Sequence, residues 1–554
     1  MARATQKSAL YRFAARVALC CLGLTALSAT HAADAPLSGY FVDCDAGNDA
    51  HSGTSAREPW RTLSKVNATV KAPGSDVFIK AGTTCRKQRL VVDWGGTASN
   101  RAIVGSYSLS GSEPREGYEG SSRPTITGTY GGECRGATPS TCPVGLDAND
   151  ERAVPANQWD GLIQIRASYV TVKDIAVADS SGTGVSHSAA RGQSESNVLL
   201  ENLSVSRTFN SGIRLERVAN DVLRNNSVDL VSLMKVDGRT KNWPPGIMVT
   251  DSAPAYVLIE GNKLSNSGGE GIGVLRSSHV IIRGNVVANN RRPLIYLDNS
   301  SNNVVEHNML LGNGYMNGVD ESYGVGVSIA VEPYKQGMRN SVQNVLRNNL
   351  LANTKGCFNL SVFRESKANC PTGRCEDPAG KGYKVGALIA GNTCLQDKGR
   401  YVSGANLDVN DNVDKLEIVD NVFSAKSGTN CTLPALPASA LKVDSNVFGT
   451  APSDEPCRGT NAKVGSAGIP LDYSRVNAGS IPSPDSFRPS ASSAAHRDGG
   501  RMDRTMIDSG AFPASMREFS WATCRPSPDD WGKALAYDYK CAPRGDRPTI
   551  GGIE

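Results

Sequence analysis

The chain is 554 residues long, with 57 glycines, 20% charged residues and only 6% aromatics. Several separate globules would each need large rings in their cores, so this composition favours one stack of repeats built on Val, Ile and Leu, and its charge content excludes a polytopic membrane protein and a disordered chain. The net charge of +5 is concentrated at the start, where Arg3, Lys7, Arg12 and Arg16 meet no acid before residue 33, so the remainder is near neutral and offers no basic footprint for nucleic acid.

Residues 1–32 have the layout of a signal peptide: a basic stretch to Arg16, the apolar run Val17–Leu27, and small residues leading to Ala32. The apolar run is too short to span a bilayer, so the expectation is an exported chain, periplasmic or extracellular, without a membrane span. Of the 14 cysteines, Cys20 and Cys21 fall in this segment. An even set in an exported chain reads as disulfides, and Cys134/Cys142, Cys370/Cys375, Cys431/Cys457 and Cys524/Cys541 are close enough in sequence to staple local loops.

Residues 33–100 contain Tyr40–Thr54, rich in Asp, Gly and Asn, then Pro59–Leu63, Pro73–Ile79 and Ala81–Thr83. This order resembles the opening of secreted bacterial right-handed parallel β-helix proteins, including polysaccharide lyases, epimerases and their relatives. The resemblance implies an N-terminal cap made of a strand, a Gly-rich loop and a short helix at about residues 59–70. The closing Arg547–Glu554 also looks like the terminal segment of such proteins.

The repeat in residues 101–450 argues the same fold from spacing. Short apolar runs end in a polar residue and Asn at Asn202, Asn226, Asn262, Asn285, Asn308, Asn349, Asn392 and Asn421, with Asn446 and Asp174 extending the series; the shortest steps are 23–25 residues. A second marker holds the register: Gly212, Gly246, Gly271 and Leu294 each open a short strand 14 or 16 residues before its Asn. Each coil therefore reads as a Gly-opened strand, a turn, a second strand and an Asn turn. Leucine-rich repeats share the period but need a helical return and a leucine pattern that this chain lacks. The fold expected is all-β, a single-stranded right-handed parallel β-helix, followed at 451–554 by an irregular disulfide-tied tail.

Strand alternation sorts the side chains. Ile247, Val249, Ile272, Val274, Ile295 and Leu297 point inward, leaving an outward row of Arg214, Met248, Gly273, Tyr296 and Ser328. Glu216, Arg217, Asp251, Arg276, Asp298 and Asn299 lie just beyond it. Insertions at 227–245, 309–325 and 332–340 bring Trp243 and Lys335 to the rims, so a groove is expected with Gly273 as a notch for a sugar ring. His279 and His307 read as structural, and His187 as a weaker groove residue.

The resemblance implies an acidic, uronate-containing polysaccharide as partner, and β-elimination or C5 epimerisation as the reaction. Arg276 would neutralise the uronate, Tyr296 or Lys335 would move the C5 proton, and Glu270 with Asp298 would hold Ca²⁺. Arg214, Met248, Gly273, Trp243 and Asp251 would bind the chain. Two alternatives stand beside it: an inverting glycoside hydrolase using Asp251 and Asp298, two coils or ~9.6 Å apart, and a non-catalytic glycan-binding protein.

Overall fold

The computed structural model describes residues 37–130, 154–155, 157–190, 195–233, 244–312, 324–332, 337–362, 382–396, 407–409, 412–425, 431–452, 455–477, 480–493 and 495. Within them the short apolar runs pair almost exclusively in parallel, and the exception is a hairpin in which Glu113–Glu116 folds back on Ala102–Ser110. Three long sheets result. The first runs from Tyr40–Val42 to Leu441–Asp444, the second from Thr84–Arg86 to Lys463–Val464, and the third from Leu90–Val92 to Cys431–Thr432.

One coil visits the three sheets in turn. Val257–Glu260 lies in the first, Lys263–Ser265 in the second and Ile272–Leu275 in the third, after which Val280–Arg283 returns beside Val257–Glu260. This is a right-handed parallel β-helix, the hand that parallel crossovers adopt. The coil has three strands where the sequence suggested two. The second-sheet strand escapes periodicity because Lys263–Ser265 is three residues long and buries only Leu264.

Ile247, Val249, Ile272, Val274, Ile295 and Leu297 are fully buried, as alternation requires. The corner between the first and second sheets holds the asparagine ladder. Asn226, Asn262, Asn285, Asn308, Asn349, Asn392 and Asn421 each donate from Nδ2 to Oδ1 of the Asn one coil on, ending at Asn446, at 2.9–3.0 Å. The same Oδ1 atoms accept backbone N–H groups, for example Asn262 N at 2.9 Å from Asn285 Oδ1. The residue just before each ladder Asn turns the corner in the left-handed region, as Gly261 (φ +66°) and Gly284 (φ +61°) do. Asn202 differs from the sequence reading: it occupies that left-handed position (φ +53°), and Leu203 takes the ladder slot, donating its N–H to Asn226 Oδ1. Asp174 (φ +62°) likewise sits at the corner and accepts from Asn202.

The corner between the third and first sheets carries serines. Ser252, Ser277 and Ser300 donate their N–H groups to Oγ of Ser277, Ser300 and Ser341 at 3.1, 3.3 and 2.8 Å. At the N-terminal end the expected helix spans Leu63–Thr69, capped by Thr62 Oγ1 accepting from Lys65 N, with Trp60 stacked on Tyr40. At the other end Ala467, Leu471, Val476 and Phe487 pack on Met309, Leu350, Val422 and Val447 of the second sheet.

Cys431–Cys457 is bonded as its spacing suggested, and Cys44–Cys85 and Cys357–Cys394 are bonded as well. These last two join cysteines 41 and 37 residues apart, which coil stacking brings together and local spacing does not reveal. Cys134, Cys142, Cys370, Cys375, Cys524 and Cys541 lie outside the described residues. Among those described, no helix is long and apolar enough to cross a membrane.

One outward row of the first sheet alternates in charge. Lys173, Glu201, Arg224, Glu260, Arg283, Glu306 and Arg347 stand in strict register on successive coils. Glu306 receives Arg283 Nε at 2.6 Å and Arg347 Nε at 2.7 Å, and all three side chains are buried.

Candidate functional site

The third sheet places Gln164, Ser186, Arg214, Met248, Gly273, Tyr296, Ser328, Asn359 and Asp408 in one outward register. The row from Arg214 to Ser328 thus has the neighbours alternation implies. Its surroundings are different. A Cβ on Gly273 would collide with the Pro245 ring, so proline fills the notch expected to take a sugar. Met248 is half-buried, and Arg214 is 9% exposed, paired with Glu216 at 2.7 Å.

Arg276 stands in the left-handed region at the third-sheet corner (φ +48°), in line with Arg217, Asp251 and Asn299. Its guanidinium forks onto Asp251, with Nε to Oδ1 at 2.8 Å and Nη2 to Oδ2 at 2.6 Å, and only 7% of it is exposed. Burial would raise the Asp251 pKa, but the hydrogen bonds and charge of Arg276, with Arg217 helping, hold it below the usual carboxylate range. Arg276 is therefore a cross-coil tie to Asp251. Both oxygens of Asp251 are engaged by this fork, while its side chain stays 29% exposed.

Asp298 is fully buried. It accepts the N–H of Glu332 at 3.1 Å and Asn299 Nδ2 at 2.8 Å, so it orients the segment leaving the third sheet. That segment delivers Glu332, whose Oε1 accepts the Tyr296 hydroxyl at 2.5 Å. Val331 follows the Asp298/Ala330 pair, so Glu332 stands where the serine ladder would continue, and Ser341 resumes it after the insertion. A Glu interrupting a serine series was a readable signal that the spacing analysis missed.

Glu270 lies between two glycines just before Ile272–Leu275. Its carbonyl accepts Gly246 N–H at 2.8 Å and Ser267 Oγ at 3.0 Å, which fixes the backbone. The side chain is buried, and Oε2 has no hydrogen-bond partner among the described residues. Burial pushes its pKa up to about 8; Arg292 opposes this, while the charges of Glu332 and Asp298 add to it. These contributions place Glu270, Glu332, Asp298 and Arg292 in one electrostatic neighbourhood beside Tyr296.

The sequence grouped Glu270 with Asp298 as Ca²⁺ ligands; among the described residues no group of three or more His, Cys, Asp or Glu side chains is placed to hold a metal. His187 also departs from expectation. It points into the coil, fully buried, with Nδ1 2.6 Å from Asp221 Oδ2. His279 packs on Tyr256. Trp243 and Lys335 lie outside the described residues.

A family model described as a right-handed β-helix region matches residues 239–370. A lacto-N-biosidase of Bifidobacterium longum is 35% identical over 71 residues, which are 12% of this chain and 4% of the length of that protein. Among solved structures, a GH136 lacto-N-biosidase from Eubacterium ramulus aligns at 13% identity and TM-score 0.45, over 77% of this chain and 67% of that one. A pectate lyase aligns at 15% identity and TM-score 0.47, over 94% and 97%. The complex of XylC with xylose aligns at 12% identity and TM-score 0.48, over 93% and 98%.

Proposed function

We propose that the protein is an exported glycoside hydrolase whose general acid is Glu270. The observation that carries this reading is a buried carboxyl with a pKa raised to about 8, held near a second carboxyl, Glu332, that accepts the Tyr296 hydroxyl. A glycosidic oxygen leaves only when protonated, so the acid must still hold its proton at working pH, while a second carboxylate activates water or stabilises positive charge on the sugar. Different surroundings for two carboxyls are how one site supplies both roles. The short stretch similar to a lacto-N-biosidase, an enzyme whose name is that of a glycosidase, supports the glycan-directed part.

β-Elimination or C5 epimerisation of a uronate chain is the second reading. The Tyr296–Glu332 hydrogen bond favours it, because a phenol that can pass its proton to a carboxylate can act as the base at C5. It lacks the neutraliser assigned from sequence, since Arg276 is engaged by Asp251.

Incubation with neutral and uronate polysaccharides separates the readings. Hydrolysis releases reducing ends without new ultraviolet absorbance, elimination creates the absorbance, and epimerisation changes only the uronate NMR spectrum. Glu270→Gln should lower kcat/KM by about 10²–10⁴-fold. Wild-type activity should fall as pH rises through about 8, where Glu270 loses its proton. Full activity in Glu270→Gln would remove the acid from the mechanism.

A further inference from the structure

We infer that Trp159 and Arg214 form a subsite for a neutral pyranose ring near the N-terminal end of the third-sheet face, separate from the Glu270 region. The inference rests on the reading of this face as a glycan groove. Four large apolar side chains are exposed among the described residues, Leu109, Trp159, Val464 and Ile481, and Trp159 at 37% is the one ring. More than a third of it faces water, which leaves part of the indole open to a ligand. It is held in place rather than dangling, because the Trp159 backbone N–H donates to Asn157 Oδ1 at 3.0 Å and the Arg214 guanidinium lies 5.0 Å from its ring centroid.

Polar groups are built in beside the ring. Gln164, 3% exposed, donates from Nε2 to Asp160 Oδ1 at 2.9 Å, and Arg89 pairs with the same carboxylate at 2.9 Å while donating from Nε to the Gly161 carbonyl at 3.1 Å. Arg214 is nine-tenths buried, and its Nε has no hydrogen-bond partner among the described residues. A flat apolar surface with fixed polar groups at its edge is what a pyranose requires, since its C–H face stacks on a ring and its hydroxyls reach outward.

The charges decide which sugar. Arg214 is met by Glu216 at 2.7 Å and Arg89 by Asp160, so both guanidinium groups of the subsite already carry a carboxylate partner, which favours a neutral sugar over a uronate. The register decides where it sits. Gln164, Ser186 and Arg214 precede Met248, Gly273 and Tyr296 on successive coils. Arg214 is therefore three strand spacings, about 14 Å, from Tyr296. A few sugar units cover that span, so the subsite would be felt by long substrates and not by a disaccharide held near Glu270.

Calorimetry in the Glu270→Gln background, which leaves substrate uncut, tests this with neutral and uronate disaccharides and hexasaccharides as probes. Adding Trp159→Ala should weaken neutral hexasaccharide binding about tenfold, leave disaccharide binding unchanged, and leave the melting temperature unchanged because the ring is exposed. Trp159→Phe should recover part of the loss. Equal hexasaccharide affinity with and without Trp159 overturns the subsite while leaving Glu270 as the acid. Tighter binding of the uronate hexasaccharide overturns the neutral assignment. Failure of every probe to bind the Glu270→Gln variant overturns the glycan reading, and the subsite with it.

Discussion

The first and third sheets belong to the same coils, yet their outer faces are built on opposite rules. On the first, Lys173, Glu201, Arg224, Glu260, Arg283, Glu306 and Arg347 alternate in sign coil after coil. On the third, Arg214, Met248, Gly273, Tyr296 and Ser328 follow no chemical rule, and Glu270 beside them keeps an oxygen without a partner among the described residues. Regularity along a solenoid serves stacking, because each coil satisfies the next. Irregularity at the same register costs stability and is retained where the surface has another task.

The largest effect should come from breaking the regular face. Burial alone would raise the pKa of Glu306, but Arg283 and Arg347 hold it well below the usual carboxylate range. Glu306→Ala would leave two buried guanidinium groups facing each other and should cost about 3–5 kcal/mol in denaturant unfolding. Replacing Arg283, Glu306 and Arg347 together by Met, Leu and Met should cost far less, because apolar residues of similar volume leave no charge unpaired. A mild effect of Glu306→Ala alone would show that the ladder is decorative. The pH dependence has a fixed sign: a depressed carboxylate contributes stability above its unfolded pKa and loses it as pH falls through the folded one, so this contribution disappears only in strong acid.

The interior ladder should respond somewhat less. Asn308→Ala removes the acceptor for Asn285 N–H and Asn285 Nδ2 and the donor to the Ile282 carbonyl. Asn285 Nδ2 keeps its bond to the Ile259 carbonyl, so the main loss is the Asn285 N–H, and one buried group left unpaired costs about 1–3 kcal/mol. Asn202→Ala should cost less than Asn308→Ala, since Asn202 is not a ladder member. Equal losses would restore the sequence assignment of Asn202.

How far the sequence could be read follows from these residues. Asn262 and Ile272 were legible because the coil repeats and alternation leaves a fixed parity, so fold, register and inward set came from spacing alone. Leu264 was not, because a three-residue strand has no periodicity. Arg276 was placed at the right register position, but its fork onto Asp251 was not legible. Register says which coil a side chain belongs to, not that an Asp one coil back will engage its guanidinium. Gly273 failed for a related reason: the absent side chain is visible in sequence, while the Pro245 ring filling the space is a tertiary fact. Glu270 was singled out as a calcium ligand, while the burial that raises its pKa is something spacing does not report. Trp159 precedes Gly161–Ile165, a strand opened by Gly161 like the others, but it stands outside the strand, where alternation assigns no side chain.

The smallest expected effect concerns Arg276, where the two faces meet in logic. Arg276 lies beside the irregular face but behaves as a ladder residue, forked onto Asp251. Arg276→Ala should therefore lower stability by about 1–2 kcal/mol, as loss of a partly buried charged hydrogen-bond pair does, and lower turnover less than tenfold. The double variant with Asp251→Asn should lose little more than either single change, because the pair acts as a unit. Arg276 keeps the Asp251 pKa down, so the wild type carries this stabilisation above the ordinary carboxylate pKa and loses it as pH falls through the depressed one. The gap in melting temperature between wild type and Arg276→Ala should accordingly be widest near neutral pH and close in acid. A hundredfold loss of turnover with no change in melting temperature would instead return Arg276 to the site chemistry and make the third-sheet corner part of the reacting surface.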